Sequence, residues 1–217
     1  PLWTREVLSF AVESDLMPKS PTWQDWLRSA RLCERSMRFF EKPKIAAIKT
    51  LPKRIAQDNV LGHLRKAYHN LDLANRVFDI HEGEATFRYE GENYFDWAIT
   101  ICYYAMYQAS LAALAAVRKE GETHSATVCT LIYHYVHKKK RLGEEYLISL
   151  DTIAALARQD VQKLVEKKKE REKASYDTSF MTQKGLAERA LTDAREFVAK
   201  IREILEEGLG KEFLPGI

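Results

Sequence analysis

WAITICYYAMYQASLAALAAV, residues 97–117, is the stretch whose reading decides the fold. It carries no charge over 21 residues, long enough to cross a bilayer. Yet seven of those residues are alanine, and Thr100, Gln108, Ser110 and three tyrosines interrupt the apolar run. Hydrophobicity this diluted fits a helix buried by other helices better than one surrounded by lipid.

The flanking sequence supplies the partners. Between residues 53 and 80, Leu61, Leu64, Tyr68, Leu71, Ala74 and Phe78 recur every three or four positions, the signature of one apolar helix face. Gly62 weakens the first half and allows two pieces. Gly121 and Thr123 end one helix and open the next, which spans about 124–137. A short helix is expected at 144–149. Asp151 then caps a helix carrying Ile153, Leu156, Val161 and Leu164. Thr182 caps a last one carrying Leu186, Leu191, Phe197 and Ile201. Near the start, Ser20 and Pro21 open a single helix to Phe40, with Trp23, Trp26, Leu27, Cys33 and Met37 on one face. Residues 81–93 read as a loop, with ATFRYEG as a short hairpin arm. The expected fold is all-α: an up-and-down helical bundle over 63–217 with an N-terminal helical extension over 1–62.

Composition agrees. Only 9 Gly and 6 Pro in 217 residues leave little material for a turn-rich β fold. The net charge of +3 is modest, but residues 1–62 hold 11 Lys and Arg against 7 Asp and Glu. That bias suits either contact with nucleic acid or an ordinary solvated surface. Cys33, Cys102 and Cys129 are widely spaced and form no CxxC pair, which argues against a thiolate metal site. Reduced cysteines and an opening, PLWTREVLSF, without a signal-peptide pattern lead to the expectation of a cytoplasmic protein with no membrane partner. No cofactor or metal is expected: the chain has no Gly-rich phosphate loop, GxSxG or HExxH.

Three groups of residues could carry chemistry. His134 and His137 share a helix face, but Lys138, Lys139, Lys140 and Arg141 beside them would repel a metal ion. Those four cations could instead bind phosphate, or simply suit the end of a helix. The aromatic run YYAMY (103–107), with Tyr94 and Trp97, is either core and dimer interface or a platform for a base. In REKASYD (171–177), Arg171 can grip a phosphate with two parallel hydrogen bonds. Tyr176 can donate a hydrogen bond, but with a pKa of about 10 a phenol is a poor general base.

YFDWAITICYYAMYQASLAAL (94–114), ETHSATV (122–128) and REKASYD with the later EFVAKIREIL (196–205) together resemble the HEPN domain, a small all-α bundle of prokaryotes. The resemblance covers about residues 60–207. It implies a homodimer whose last two helices line a groove. Many members are metal-independent ribonucleases with an arginine followed, after four to six residues, by a histidine. The arginine holds phosphate and the histidine assists attack by the ribose 2′-hydroxyl. Others are non-catalytic or pair with a nucleotidyltransferase. Arg171 matches the arginine. Tyr176 stands at the first permitted histidine position, followed by Asp177 and Thr178, so the usual base is missing. Arg76 with His81 and Arg118 with His124 have the same spacing, at the frequency chance supplies. His124 reads as a structural residue opening a helix.

Three functions follow. The first is a non-catalytic HEPN-like dimer that binds nucleotide or RNA phosphate near Arg171, or docks a nucleotidyltransferase. The second is a toxin-type endoribonuclease with Arg171, Tyr176 and Asp177 as a variant site. The third is a helical scaffold.

Overall fold

The computed structural model describes the backbone of residues 21–80, 94–170 and 180–214, and the side chains of 21–80, 94–158 and 184–214. The chain is all-α, and among the described residues seven α-helices accompany one two-stranded ribbon.

The centre is α4 (Phe95–Ala116), preceded by α1 (Trp23–Arg28), α2 (Ala30–Phe40) and α3 (Lys53–Asp79). After α4 come α5 (His124–Leu131), α6 (Glu144–Glu170) and α7 (Phe180–Leu209). α4 packs against α3, α5, α6 and α7. It is the one described helix long and apolar enough to cross a membrane, but 72% of its apolar window is buried inside the protein. Its alanines 98, 105, 109, 112 and 113 are fully buried, and side chains this small let neighbouring helices approach closely.

Pairwise contacts fix the helix directions. His63 Nδ1 lies 2.8 Å from Gln108 Oε1, and the Phe78 and Phe95 rings sit 5.5 Å apart. The start of α3 therefore meets the end of α4, and the two run antiparallel. Arg195 bonds Asn75 while Arg202 lies over the Tyr68 ring, so α7 opposes α3. Tyr146 packs on Phe197, and Ser149 bonds Asp193, so α6 opposes α7. The result is an up-and-down bundle of α3, α4, α6 and α7.

Local expectations needed correction. The helix predicted from Ser20 to Phe40 is two: Thr22 forms a capping box with Asp25, and Ser29 both ends α1 and caps α2 by accepting from Leu32 N. Ser20 itself lies outside the described residues. Gly62 does not split α3, because its position faces open solvent and a helix tolerates glycine there. Position 62/63 thus falls inside one continuous helix. Asp151 caps nothing: α6 runs unbroken through it from Glu144. Thr182 is likewise inside α7, which begins at Phe180. The hairpin arm predicted at 85–91 lies outside the described residues.

The ribbon was not foreseen. β1 (Ile48–Thr50) pairs antiparallel with β2 (Lys119–Gly121), Ile48 opposite Gly121. Arg118, at φ 60, turns the chain out of α4, and its Nε donates to the Leu51 carbonyl at 3.0 Å. This clamp holds the segment after α2 against the end of the central helix.

Candidate functional site

The cationic run at 138–141 closes a helix that changes its winding. After α5 the chain widens into a π-helical segment, Ile132–Lys138, in which Lys139 N bonds the His134 carbonyl five residues back. Lys140 then adopts φ 53, and the amides of Arg141 and Leu142 both donate to the Tyr135 carbonyl, at 2.8 and 3.2 Å. The four cations are thereby separated. Lys138 lies over the Tyr133 ring and Lys139 over the Tyr135 ring, at 5.3 and 4.7 Å. Burial lowers the Lys139 pKa. Arg141 pairs with Glu207 at 3.1 Å on the surface. Lys140, exposed, joins Arg141 and Lys200 in lining a shallow cleft of about 440 Å³ that also includes Glu144 and Glu145.

The structure brings a second basic element to this turn. His137 Nε2 lies 2.7 Å from the Trp26 carbonyl, so the end of the π-helical segment is tied to α1. Arg28 ends α1. On α2, Arg31, Arg35 and Arg38 follow at i, i+4 and i+7, all exposed. Cys33 and Met37 are buried on the other face. A rise of about 1.5 Å per residue spreads the three guanidiniums over about 10 Å. Arg38 pairs with Glu34 at 2.7 Å, and no carboxylate pair is found for Arg31 or Arg35 among the described residues. With Ser29 and Leu32 these side chains line a surface hollow of about 480 Å³. Residues 28–66 hold 11 Lys and Arg against 3 Asp and Glu, a local charge of +8 in a chain of net +3. The sequence signal was the i, i+4, i+7 spacing opposite Cys33 and Met37. A charge count over 1–62 diluted it with acidic residues at the N-terminus.

A third cluster joins two stretches of the HEPN resemblance. Thr123 caps α5 by accepting from Ala126 N, which sets His124 at the first helical position. The Tyr103 hydroxyl lies 3.3 Å from His124 Nδ1, and the Tyr107 ring stacks on the imidazole. Burial, with Arg158 nearby, pushes the His124 pKa down to about 4, against a smaller opposing effect of Asp151. At pH 7 the ring is neutral and part of the packing. The YYAMY run is mainly core: Tyr103 and Met106 are buried, and Tyr104 and Tyr107 are half-buried.

His134 and His137 do not converge on one point of chemistry: His137 meets Trp26, whereas His134 Nε2 is buried without a hydrogen-bond partner. Among the described residues no group of three or more His, Cys, Asp or Glu is placed to hold a metal ion. Arg171, Tyr176 and Asp177 lie outside the described residues. No family model, curated protein or solved structure matches the chain.

Proposed function

We propose that this chain is a HEPN-like bundle that binds the phosphate backbone of RNA and does not cleave it. One observation carries the reading. The cationic turn Lys138–Arg141 is anchored through His137 to the α1–α2 corner, where Arg28 and the Arg31, Arg35 and Arg38 stripe begin. Two basic segments far apart in sequence thus adjoin at this contact. Arginine guanidinium suits phosphate because its planar fork donates two parallel hydrogen bonds. Arg171 adds a further phosphate contact, as the resemblance implies. Tyr176 in place of histidine removes the imidazole that would take a proton from a ribose hydroxyl near neutral pH. A homodimer, a cytoplasmic setting and docking of a nucleotidyltransferase belong to the same reading.

The test is incubation of purified protein with a mixed RNA pool, without metal, beside Arg171→Ala and Tyr176→His. The wild type is expected to bind RNA and leave it intact, with Arg171→Ala weakening binding about 10-fold. Cleavage by the wild type that Arg171→Ala abolishes would instead make Tyr176 or Asp177 part of a variant ribonuclease site. No binding and no cleavage would leave a helical scaffold.

A further inference from the structure

We propose that Cys33 and Cys129 are a modification site: a dithiol that low-molecular-weight disulfides convert to an intramolecular disulfide joining α2 to α5. The two residues are 96 positions apart, yet their sulfurs lie 3.9 Å from each other. Each thiol also points at the other residue's carbonyl, Cys33 Sγ to Cys129 O at 3.4 Å and Cys129 Sγ to Cys33 O at 3.5 Å. These reciprocal contacts mean that the two backbones, not only the side-chain tips, are neighbours. A disulfide needs a sulfur separation of about 2.05 Å with the β-carbons about 4 Å apart. The remaining closure is less than 2 Å, within reach of side-chain rotation in each cysteine. Cys102 is equally buried but lies on α4, and among the described residues it has no sulfur–sulfur contact like that of Cys33 and Cys129. It serves as an internal control.

The reaction is thiol–disulfide exchange with oxidised glutathione. One cysteine, deprotonated, attacks a glutathione sulfur; the glutathione S–S bond breaks and one glutathione thiolate leaves and takes up a proton. The second cysteine, deprotonated in turn, attacks the protein sulfur of the mixed disulfide and releases the second glutathione. Two cysteine thiols are oxidised, one glutathione disulfide is reduced, and two protons pass to the glutathione thiols.

Burial sets the rate and proximity sets the product. Both thiols are fully buried, and the hydrogen bond to Cys33, with burial, drives the Cys129 thiol pKa upward. Neither sulfur reacts in the closed molecule. Reaction therefore passes through transient detachment of α1–α2, which Trp26, Cys33 and Met37 seat on the bundle. Once formed, the bond holds the arginine-bearing helix to the bundle covalently.

The full chain is exposed to oxidised glutathione under native conditions, quenched in acid, unfolded and alkylated with N-ethylmaleimide. Intact mass then counts free thiols. One alkylated thiol is expected, mapped to Cys102, with Cys33 and Cys129 recovered as one cross-linked peptide. Mild urea below the unfolding transition is expected to speed the reaction. The oxidised chain is expected to melt about 10 °C higher, because the bond closes a loop of about 100 residues in the unfolded state. Cys33→Ser should lose both the cross-link and the rise. Three alkylated thiols, a stable glutathione adduct without a cross-link, or a bond involving Cys102 would each overturn the assignment. None of these readouts depends on RNA binding.

Discussion

Replacing Tyr135 by phenylalanine is expected to cost about 2 kcal/mol of folding stability, and by alanine about 4 kcal/mol. Tyr135 is fully buried, and its hydroxyl donates to the Ala113 carbonyl at 2.6 Å. That carbonyl belongs to the last turn of α4, where Val117 N bonds Leu114 and Ala115 instead. A helix leaves its final four carbonyls without intrahelical partners, and a buried one must find another donor. The tyrosine is that donor. Phenylalanine keeps the ring and removes only the hydroxyl, leaving the acceptor unsatisfied. Alanine also removes one of the largest buried side chains and opens a cavity. Urea unfolding at pH 7 checks both, with the slope on denaturant unchanged in the phenylalanine variant.

A second large effect is expected on acidification. His124 and His134 are each held down to a pKa of about 4. Burial is the main cause for both. Arg158 adds to it at His124, where Asp151 opposes; Lys119, Lys139 and Lys138 add to it at His134, where Glu41 opposes. In the unfolded chain both titrate near 6.5. Between those values the unfolded chain binds the more protons, so stability rises with pH and falls as the solution is acidified. The contribution is complete above pH 6.5 and lost as pH drops through about 4. After allowance for partial solvent screening, the pair accounts for about 3 kcal/mol. Asp193, whose pKa burial raises, works weakly in the opposite direction. Stability measured by urea at pH 7 and pH 4.5 should show this loss. His134→Gln should flatten the dependence by about half; an unchanged profile would contradict the burial of its ring.

Much of the bundle was legible because its signals are local. The uncharged, alanine-rich stretch at 97–117 could only be a central helix once its neighbours showed single apolar faces. The boundaries were less legible for physical reasons. A serine inside an amphipathic run, like Ser29, reads as a solvent-facing residue until the backbone turns and its hydroxyl becomes a cap. Asp151 is the reverse case, a good capping residue that stays within a helix because packing of Leu147, Leu150, Ile153 and Ala154 carries the chain through it. Contacts distant in sequence left almost no trace. Nothing in the sequence pairs Cys33 with Cys129, Ile48 with Gly121 or His137 with Trp26. The same holds for the basic surface. Lys138, Lys139, Lys140 and Arg141 stand out as a run, whereas the arginines on α2 stand out only once their shared face is known.

The most direct test of the proposed function is the salt dependence of RNA binding. Affinity for a single-stranded RNA should fall linearly with salt on logarithmic axes, with a slope of about −0.7 for each phosphate neutralised. Replacing Arg31, Arg35 and Arg38 together by alanine should make the slope shallower by about 2 and weaken binding at low salt at least 100-fold. An RNA affinity and salt slope identical to the wild type in that variant would contradict a phosphate-binding role for this surface.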